Sequence, residues 1–325
     1  MGCPVGIGPE IILKFFQNRK PAGNRVPVIL GDLGVLRHAA DTLGFSLDII
    51  PWQPGEVIQQ GTVPVFTCSQ LAADGLGWGK PTVETGKAMA GYITEAVRLI
   101  GKGALAGMVT CPITKTALNK AGYPYPGHTE MLAELTGCKH FRMMMAGDSL
   151  KVVLVTIHEP LNRVSSMLSI EGITDCITMT IHSLQQDFGL VNPRVAVAGF
   201  NPHGGEQGMF GHEEEQIITP AVQACAQKYR VSGPWPPDTV FYKAARGEFD
   251  AVVAMYHDQG LIPFKILHFS DGVNVTLGLS IVRTSVDHGT AYDIAGQGKA
   301  DAASLQAAWD MAVMIVDNRV NRVLQ

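Results

Sequence analysis

At 325 residues, with 46% hydrophobic and 17% charged side chains, the chain exceeds what one hydrophobic core serves and carries too little charge for disorder. Two α/β lobes are therefore expected. A formal net charge of -4 with no dense lysine or arginine run excludes a nucleic-acid backbone as the natural partner.

The cysteines at 3, 68, 111, 138, 176 and 225 show no Cys-x-x-Cys spacing, which argues against a disulfide scaffold or a zinc knuckle and for reduced thiols. The longest apolar runs fall far short of the ~20 residues a membrane helix needs. No basic-then-apolar leader opens the chain, and Gly6 stands where a myristoylation motif wants Ser or Thr, so a cytoplasmic location is expected.

The first stretch, MGCPVGIGPEII (1–12), places glycines at 2, 6 and 8 before Pro9, which suits a first helical turn, and Glu10, which favours the positive end of a helix. It reads as a loop entering a helix. It is neither G-x-G-x-x-G nor a Walker loop, so a tight turn explains it as well as a nucleotide loop with Gly6 and Gly8 against the cofactor. VPVILG (26–31) and LAGMVT (105–110) are short apolar strands, and between them KAMAGYITEAVRLI lines Met89, Ile93, Ala96, Val97 and Ile100 along one helical stripe. YPGHTEMLAELTG (125–137) leads Gly127, His128 and Thr129 into an amphipathic helix, where free amides and the Thr129 hydroxyl suit either an anion or an ordinary cap.

Three further apolar strands end alike. KVVLVTI (151–157) is followed by His158, RVAVAGF (194–200) by Asn201-Pro202-His203, and DAVVAMY (250–256) by His257. The alternation of strands and helices implies a mostly parallel sheet, which gathers ligands at the carboxyl ends of its strands. Each histidine alone reads as a loop hydrogen-bonding group. Together, imidazoles converging on one edge make a site for a divalent cation with positions left open for substrate. Asp258, beside His257, has three readings: it orients an imidazole, carries a proton, or is solvated.

Lys115, Lys265 and Arg283 put cations near the same ligand edge, and Arg283 suits a carboxylate or phosphate by its planar fork. Asn274 and Arg283 flank GVNVTLGLSIVR, whose strand pattern tolerates two polar residues only if they face a cleft. SVDHGTAYDIAGQGKAD (285–301) sets Asp287, His288 and Gly289 at the opening of an expected helix, a place for part of a dinucleotide. AASLQAAWDMAVMIVD closes the pattern as an apolar helix.

Taken in order, MGCPVGIGPE, PGHTE, NPHGGE, MYHDQGL and GVNVTLGLSIVRTSVDHGTA resemble the 4-hydroxythreonine-4-phosphate dehydrogenase family of vitamin B6 biosynthesis, from residue 1 to about residue 302. The resemblance implies a two-domain α/β/α fold like that of the isocitrate and isopropylmalate dehydrogenases, with residues 1–118 and 276–325 in one domain and 119–275 in the other. It implies an active site in the interdomain cleft of a homodimer. His158, His203 and His257 would hold one divalent metal (Zn, Mg, Co or Ni), one of the three reaching across the dimer. His128, Thr129, Lys265, Asn274 and Arg283 would bind the phosphorylated substrate, and Gly6, Gly8, Asp287 and His288 the cofactor, NAD or NADP.

The implied reaction oxidises 4-phosphooxy-L-threonine to its 3-oxo acid, which decarboxylates to 3-amino-2-oxopropyl phosphate. A sister branch acts on 4-phospho-D-threonate or 4-phospho-D-erythronate, and the motifs fit both. The general base stays open between Asp238, Asp258 and a metal-bound water. Three histidines with an open position also allow a metal-dependent hydrolase. Two departures stand out: the family motif carries Asp where this chain has Cys3, and it follows a strand where here Met1 opens it.

Overall fold

A computed structural model of the chain describes residues 1–18 and 25–323. It divides into two compact units. The first, Met1–Lys139 with Leu279–Val313, begins with α1 (Gly8–Asn18), β1 (Ile29–Gly31), α2 (Leu33–Leu43), β2 (Asp48–Pro51) and β3 (Thr62–Thr67). It continues through α3 (Val83–Gly101), β4 (Met108–Thr110), α4 (Lys115–Lys120) and α5 (His128–Leu135).

The second unit, His140–Gly278 with the chain from Met314, holds β5 (Arg142–Ala146), β6 (Lys151–Leu154), α6 (Leu161–Met167), α7 (Ile170–Gln186), β7 (Val195–Ala198) and α8 (Thr219–Ala226). After these come β8 (Val231–Trp235), α9 (Pro237–Ala245), β9 (Ala251–Ala254), α10 (His257–Leu267) and β10 (Val273–Leu277). The chain then returns to the first unit with β11 (Arg283–Val286) and enters α11 (Ala303–Val323).

In the first unit β3 lies between β1 and β2, all parallel, and β11 pairs in parallel with β4. Ile11, Leu13, Leu36, Val63 and Val65 form its core. The Asp32 carboxylate caps α2 by accepting the Val35 N–H, and Gly44 ends that helix at φ 73°, a left-handed conformation that glycine adopts at no steric cost. Ala90 and Ile93 of α3 pack with Leu118 of α4 and with Met131 and Leu132 of α5, so this unit runs on to Lys139 where the sequence placed a boundary near 118.

In the second unit the strand order is β10-β5-β6-β9-β7-β8; β6, β9, β7 and β8 are parallel, while β5 runs antiparallel to both its neighbours. Every residue of β7 and β9 is buried, which is why both read as unbroken apolar runs.

The helix expected to open at Asp287 does not form: residues 287–302 are turns and irregular chain, and α11 begins only at Ala303. At the far end of this segment the cause lies on α1. The buried Glu10 carboxylate accepts the N–H of Gly298 (3.2 Å) and of Ala300 (2.7 Å), while Lys14, paired with Glu10 at 3.0 Å, donates to both carbonyls of the same residues. Backbone groups committed to another element cannot close the i to i−4 bonds of a helix. None of the six cysteines is in a disulfide, and no helix among the described residues is long and apolar enough to cross a membrane.

Candidate functional site

In the second unit β6, β9 and β7 are adjacent and parallel, so their carboxyl ends share one edge. The ladder continues past β6, with Val155 N–H donating to Ala254 (2.9 Å) and Thr156 N–H to Met255 (3.2 Å), and His158 emerges beside His257. Their ring centroids lie 5.6 Å apart at 40°. Two imidazoles bound to one tetrahedral ion through nitrogens at about 2.1 Å have centres roughly 5 Å apart, so this pair fits a divalent cation. His257 Nδ1 is 2.7 Å from Asp258 Oδ1. A proton held there leaves the lone pair of Nε2 for a metal.

His203 follows β7 on a different kind of turn. Residues 203–207 all have positive φ, and His203 (54°), Glu206 (43°) and Gln207 (56°) do so without being glycine. Each costs about 1–2 kcal/mol, a strain that neighbouring contacts must offset. Among the described residues, no three His, Cys, Asp or Glu side chains are grouped so as to hold a metal ion. The structure thus pairs His158 with His257 and sets His203 at the end of the next strand.

Asp238, in the first turn of α9, and Asp258, in the first turn of α10, both line a groove of about 550 Å³ between these helices, together with Phe241, Tyr256 and Ile262. Lys265 is half-buried in the last turn of α10, and Asn274 sits on β10 opposite Met145 of β5.

The first unit carries the other anion-binding candidates. Arg283 opens β11, is 4% exposed, and donates from Nε (3.2 Å) and Nη2 (2.8 Å) to the Thr110 hydroxyl. Burial pushes its guanidinium down to about 10, with the Glu130 charge opposing. His128 is the first residue of α5, and Thr129 follows it in the first turn, so Gly127 rather than Thr129 is the N-cap. Desolvation of the half-buried His128 ring, then the Arg283 charge, hold its pKa well below the ordinary 6.5. At neutral pH that imidazole is uncharged and Arg283 remains the cation.

This shift has a measurable consequence. Below 6.5 an exposed imidazole in the unfolded chain takes up a proton that folded His128 refuses, so stability falls as pH drops from 6.5 toward the depressed folded value. The slope reaches about 1.4 kcal/mol per pH unit. Urea melts of wild type and His128→Asn at pH about 7.5 and about 5.5 check this: the variant should lose less stability between them, and equal losses would refute the assignment.

Thr110 and Glu130 were missed in the sequence. Thr110 ends β4, so the rule that drew attention to the three histidines would have found it; Glu130 carried no such signal.

Around the predicted cofactor positions, the Ile7 N–H donates to the Thr290 carbonyl (3.1 Å), and a side chain at Gly6 would come within 3.1 Å of that oxygen. Gly6 is therefore needed for close approach of the chain to itself, and Gly8 likewise faces the Met1 carbonyl. Asp287 N–H donates to the Ser304 hydroxyl (3.2 Å). His288 Nδ1 lies 3.1 Å from its neighbour's carbonyl at Gly289, and its Nε2 is buried with no hydrogen-bond partner among the described residues. A buried ring nitrogen of that kind fits a polar group of a bound ligand, such as a dinucleotide. Cys3, where the family motif has Asp, is buried with Sγ 3.4 Å from Tyr292 Oη, and burial pushes its thiol up.

Imidazoles at parallel strand ends in the second unit, suited to a cation, and a buried guanidinium beside a neutral histidine in the first, suited to an anion, are the ligand-binding features of this α/β protein. The chain belongs to the family of the pyridoxal phosphate biosynthetic protein PdxA, whose family model matches residues 24–312. It is 55% identical over 317 residues to 4-hydroxythreonine-4-phosphate dehydrogenase of Desulfosudis oleivorans, covering 96% of this chain and 94% of that one. A solved structure of 4-hydroxythreonine-4-phosphate dehydrogenase from Klebsiella pneumoniae superposes with a TM-score of 0.87 at 39% identity, covering 97% and 98% of the two chains. A relative from Oceanobacillus iheyensis, provisionally named D-threonate 4-phosphate dehydrogenase, is 41% identical over 323 residues, 98% of this chain and 97% of its own.

Proposed function

We propose that this protein is a metal- and NAD(P)-dependent dehydrogenase that oxidises 4-hydroxythreonine 4-phosphate to its 3-oxo acid, which decarboxylates to 3-amino-2-oxopropyl phosphate on the way to vitamin B6. The observation that carries the reading is the His158–His257 pair, 5.6 Å between ring centres with Asp258 on the far nitrogen of His257, in a chain 55% identical to a dehydrogenase of that name. When bound, the divalent ion supplies Lewis acidity and the nicotinamide supplies a hydride acceptor.

The chain's own residues bind and orient. His158, His203 and His257 would hold the ion, one of the three reaching across the homodimer, and Asp258 would keep the His257 proton on Nδ1. Arg283, desolvated and fixed on Thr110, receives one anionic group of the substrate, with the amides of the α5 start and the Thr129 hydroxyl beside it in the first unit. Lys265 and Asn274 receive the rest. Asp238 and Asp258, both lining the α9–α10 groove, are the side chains available to take the hydroxyl proton.

The reading makes the working unit a homodimer with a shared site. In its support, Ile266 (77% exposed) and Phe269 (81%) stand with Ile262 and Leu267 on and just beyond the helix that His257 opens, an apolar face that water alone covers poorly. A cytoplasmic home belongs to the same proposal, since free cysteines accord with a reducing compartment.

The relative from Oceanobacillus iheyensis, by its name, favours a second reading, oxidation of 4-phospho-D-threonate, with 4-phospho-D-erythronate as the other acid of that branch to be tried. Incubating the purified protein with NAD or NADP, a divalent metal and each phosphorylated acid decides between them. Reduced nicotinamide forming fastest with 4-hydroxythreonine 4-phosphate supports the first reading; formation only with the sugar acids selects the second. Phosphate release without reduced nicotinamide would replace both with a hydrolase. In the active assay, Lys265→Ala should raise KM about 10- to 100-fold with kcat little changed, the value of one charged hydrogen bond. An unchanged KM would remove Lys265 from the binding set.

A further inference from the structure

The strained turn that carries His203 is wrapped around one buried carboxylate. Glu214, 5% exposed, opens the π-helical turn Glu214–Ile218, which is itself a local departure from α-helix of the sort found at functional sites. Its Oε1 accepts two successive backbone N–H groups, from Phe200 (2.7 Å) and Asn201 (2.6 Å), and its Oε2 accepts the Asn201 amide Nδ2 (2.9 Å). Beyond the histidine, a side chain at Gly205 would lie 2.7 Å from the same Oε2, so the returning chain lies directly against the carboxylate. The carboxylate therefore binds the chain just before His203 and lies against it just after.

All three groups that reach Glu214 are donors, and a carboxylate is the side chain that accepts without also needing to donate. Asn201 is fixed from its other side by Glu213 (2.7 Å), which in turn accepts from Ser165 of α6 (2.6 Å). A second tether sets where the turn begins. Gln259 donates to the Gly199 carbonyl (2.7 Å) and accepts the Met255 N–H (2.7 Å), joining the exit of β7 to the exit of β9 two residues from His257.

From this arrangement we infer that Glu214 is the positioning residue of His203: it fixes the backbone at Phe200 and Asn201, from which the left-handed turn 203–207 departs, and so sets metal affinity without touching the metal. The inference rests on the reading of His203 as a metal ligand and adds to it a residue that no motif marks.

The experiment is a titration of metal-free, full-length protein with Co²⁺, read by calorimetry and by the visible ligand-field bands, on wild type, His203→Ala, Glu214→Ala and Glu214→Gln. Glu214→Ala is expected to weaken Co²⁺ binding about 10- to 100-fold and to alter the bands in the same sense as His203→Ala, the usual size of an outer-shell loss. Glu214→Gln keeps one oxygen for the two backbone donors but turns an NH₂ toward Asn201, so its loss should be smaller. Amide exchange at Phe200 and Asn201 should quicken in Glu214→Ala. A merely structural residue would lower the melting temperature and leave the Co²⁺ spectrum of the folded protein unchanged. Wild-type affinity and bands in Glu214→Ala, with both lost in His203→Ala, would overturn the inference and spare the ligand reading. Unchanged binding in His203→Ala removes the histidine from the metal site, and the inference with it. If Glu214→Ala does not fold, Glu214→Gln decides: weakened Co²⁺ binding with altered bands supports the inference, and wild-type values defeat it.

Discussion

His257→Ala is expected to lose tight binding of divalent cations and to cut turnover by about 10³-fold or more, while the protein stays folded. The fold survives because the ring is 35% exposed and Tyr256 holds the N-cap position of α10 without a side-chain hydrogen bond, so truncation leaves neither a core cavity nor a lost cap. Function fails because the imidazole is half of the 5.6 Å pair and one of three proposed ligands, and the two that remain hold the ion far more weakly. Calorimetric metal titration, circular dichroism and steady-state rates check the three parts separately. Full turnover by the metal-free variant would remove the metal from the chemistry, and an unfolded variant would contradict the placement of His257 at a helix start.

Arg283→Met should lower kcat/KM for the phosphorylated substrate by about 10²- to 10³-fold, the scale of 3–4 kcal/mol for a desolvated charge–anion contact. Arg283→Lys should recover little of this. Thr110 takes two N–H groups from the planar guanidinium, and an ammonium cannot reproduce that fork while also reaching an anion. The substitution has a second signature that a packing defect would not produce. The Arg283 charge is one of the causes holding His128 well below 6.5, so its removal should move the His128 titration upward, with burial still keeping it below the ordinary value. The histidine ring protons followed by NMR across pH report this directly. An unmoved His128 with unimpaired kcat/KM would show that Arg283 is a structural residue.

Much of this site was legible before any coordinates, for local reasons. The runs 151–157, 194–200 and 250–256 are apolar because both faces of their strands are buried, and each ended in or near a histidine because parallel strands lead into loops at one edge. The α5 start at His128 and the α1 start after the glycines were likewise written in short-range pattern. The segment 287–302 misled because its hydrogen-bond partner, Glu10, lies 290 residues from Ala300, and helical pattern has no way to register that competition.

The amino-acid sequence by itself determined which side chains stand at strand ends, that the chain is α/β, and the family to which it belongs, since these depend on periodicity and motif. Tertiary structure alone decided that β6, β9 and β7 are neighbours, so that His158 meets His257, and that desolvation, with the Arg283 charge second, keeps His128 neutral. It also decided that Glu214 accepts the Phe200 and Asn201 N–H groups just ahead of the left-handed turn of His203. Pairing order, desolvation and anchoring at a distance arise from contacts between residues far apart in the chain, and a local pattern carries no record of them.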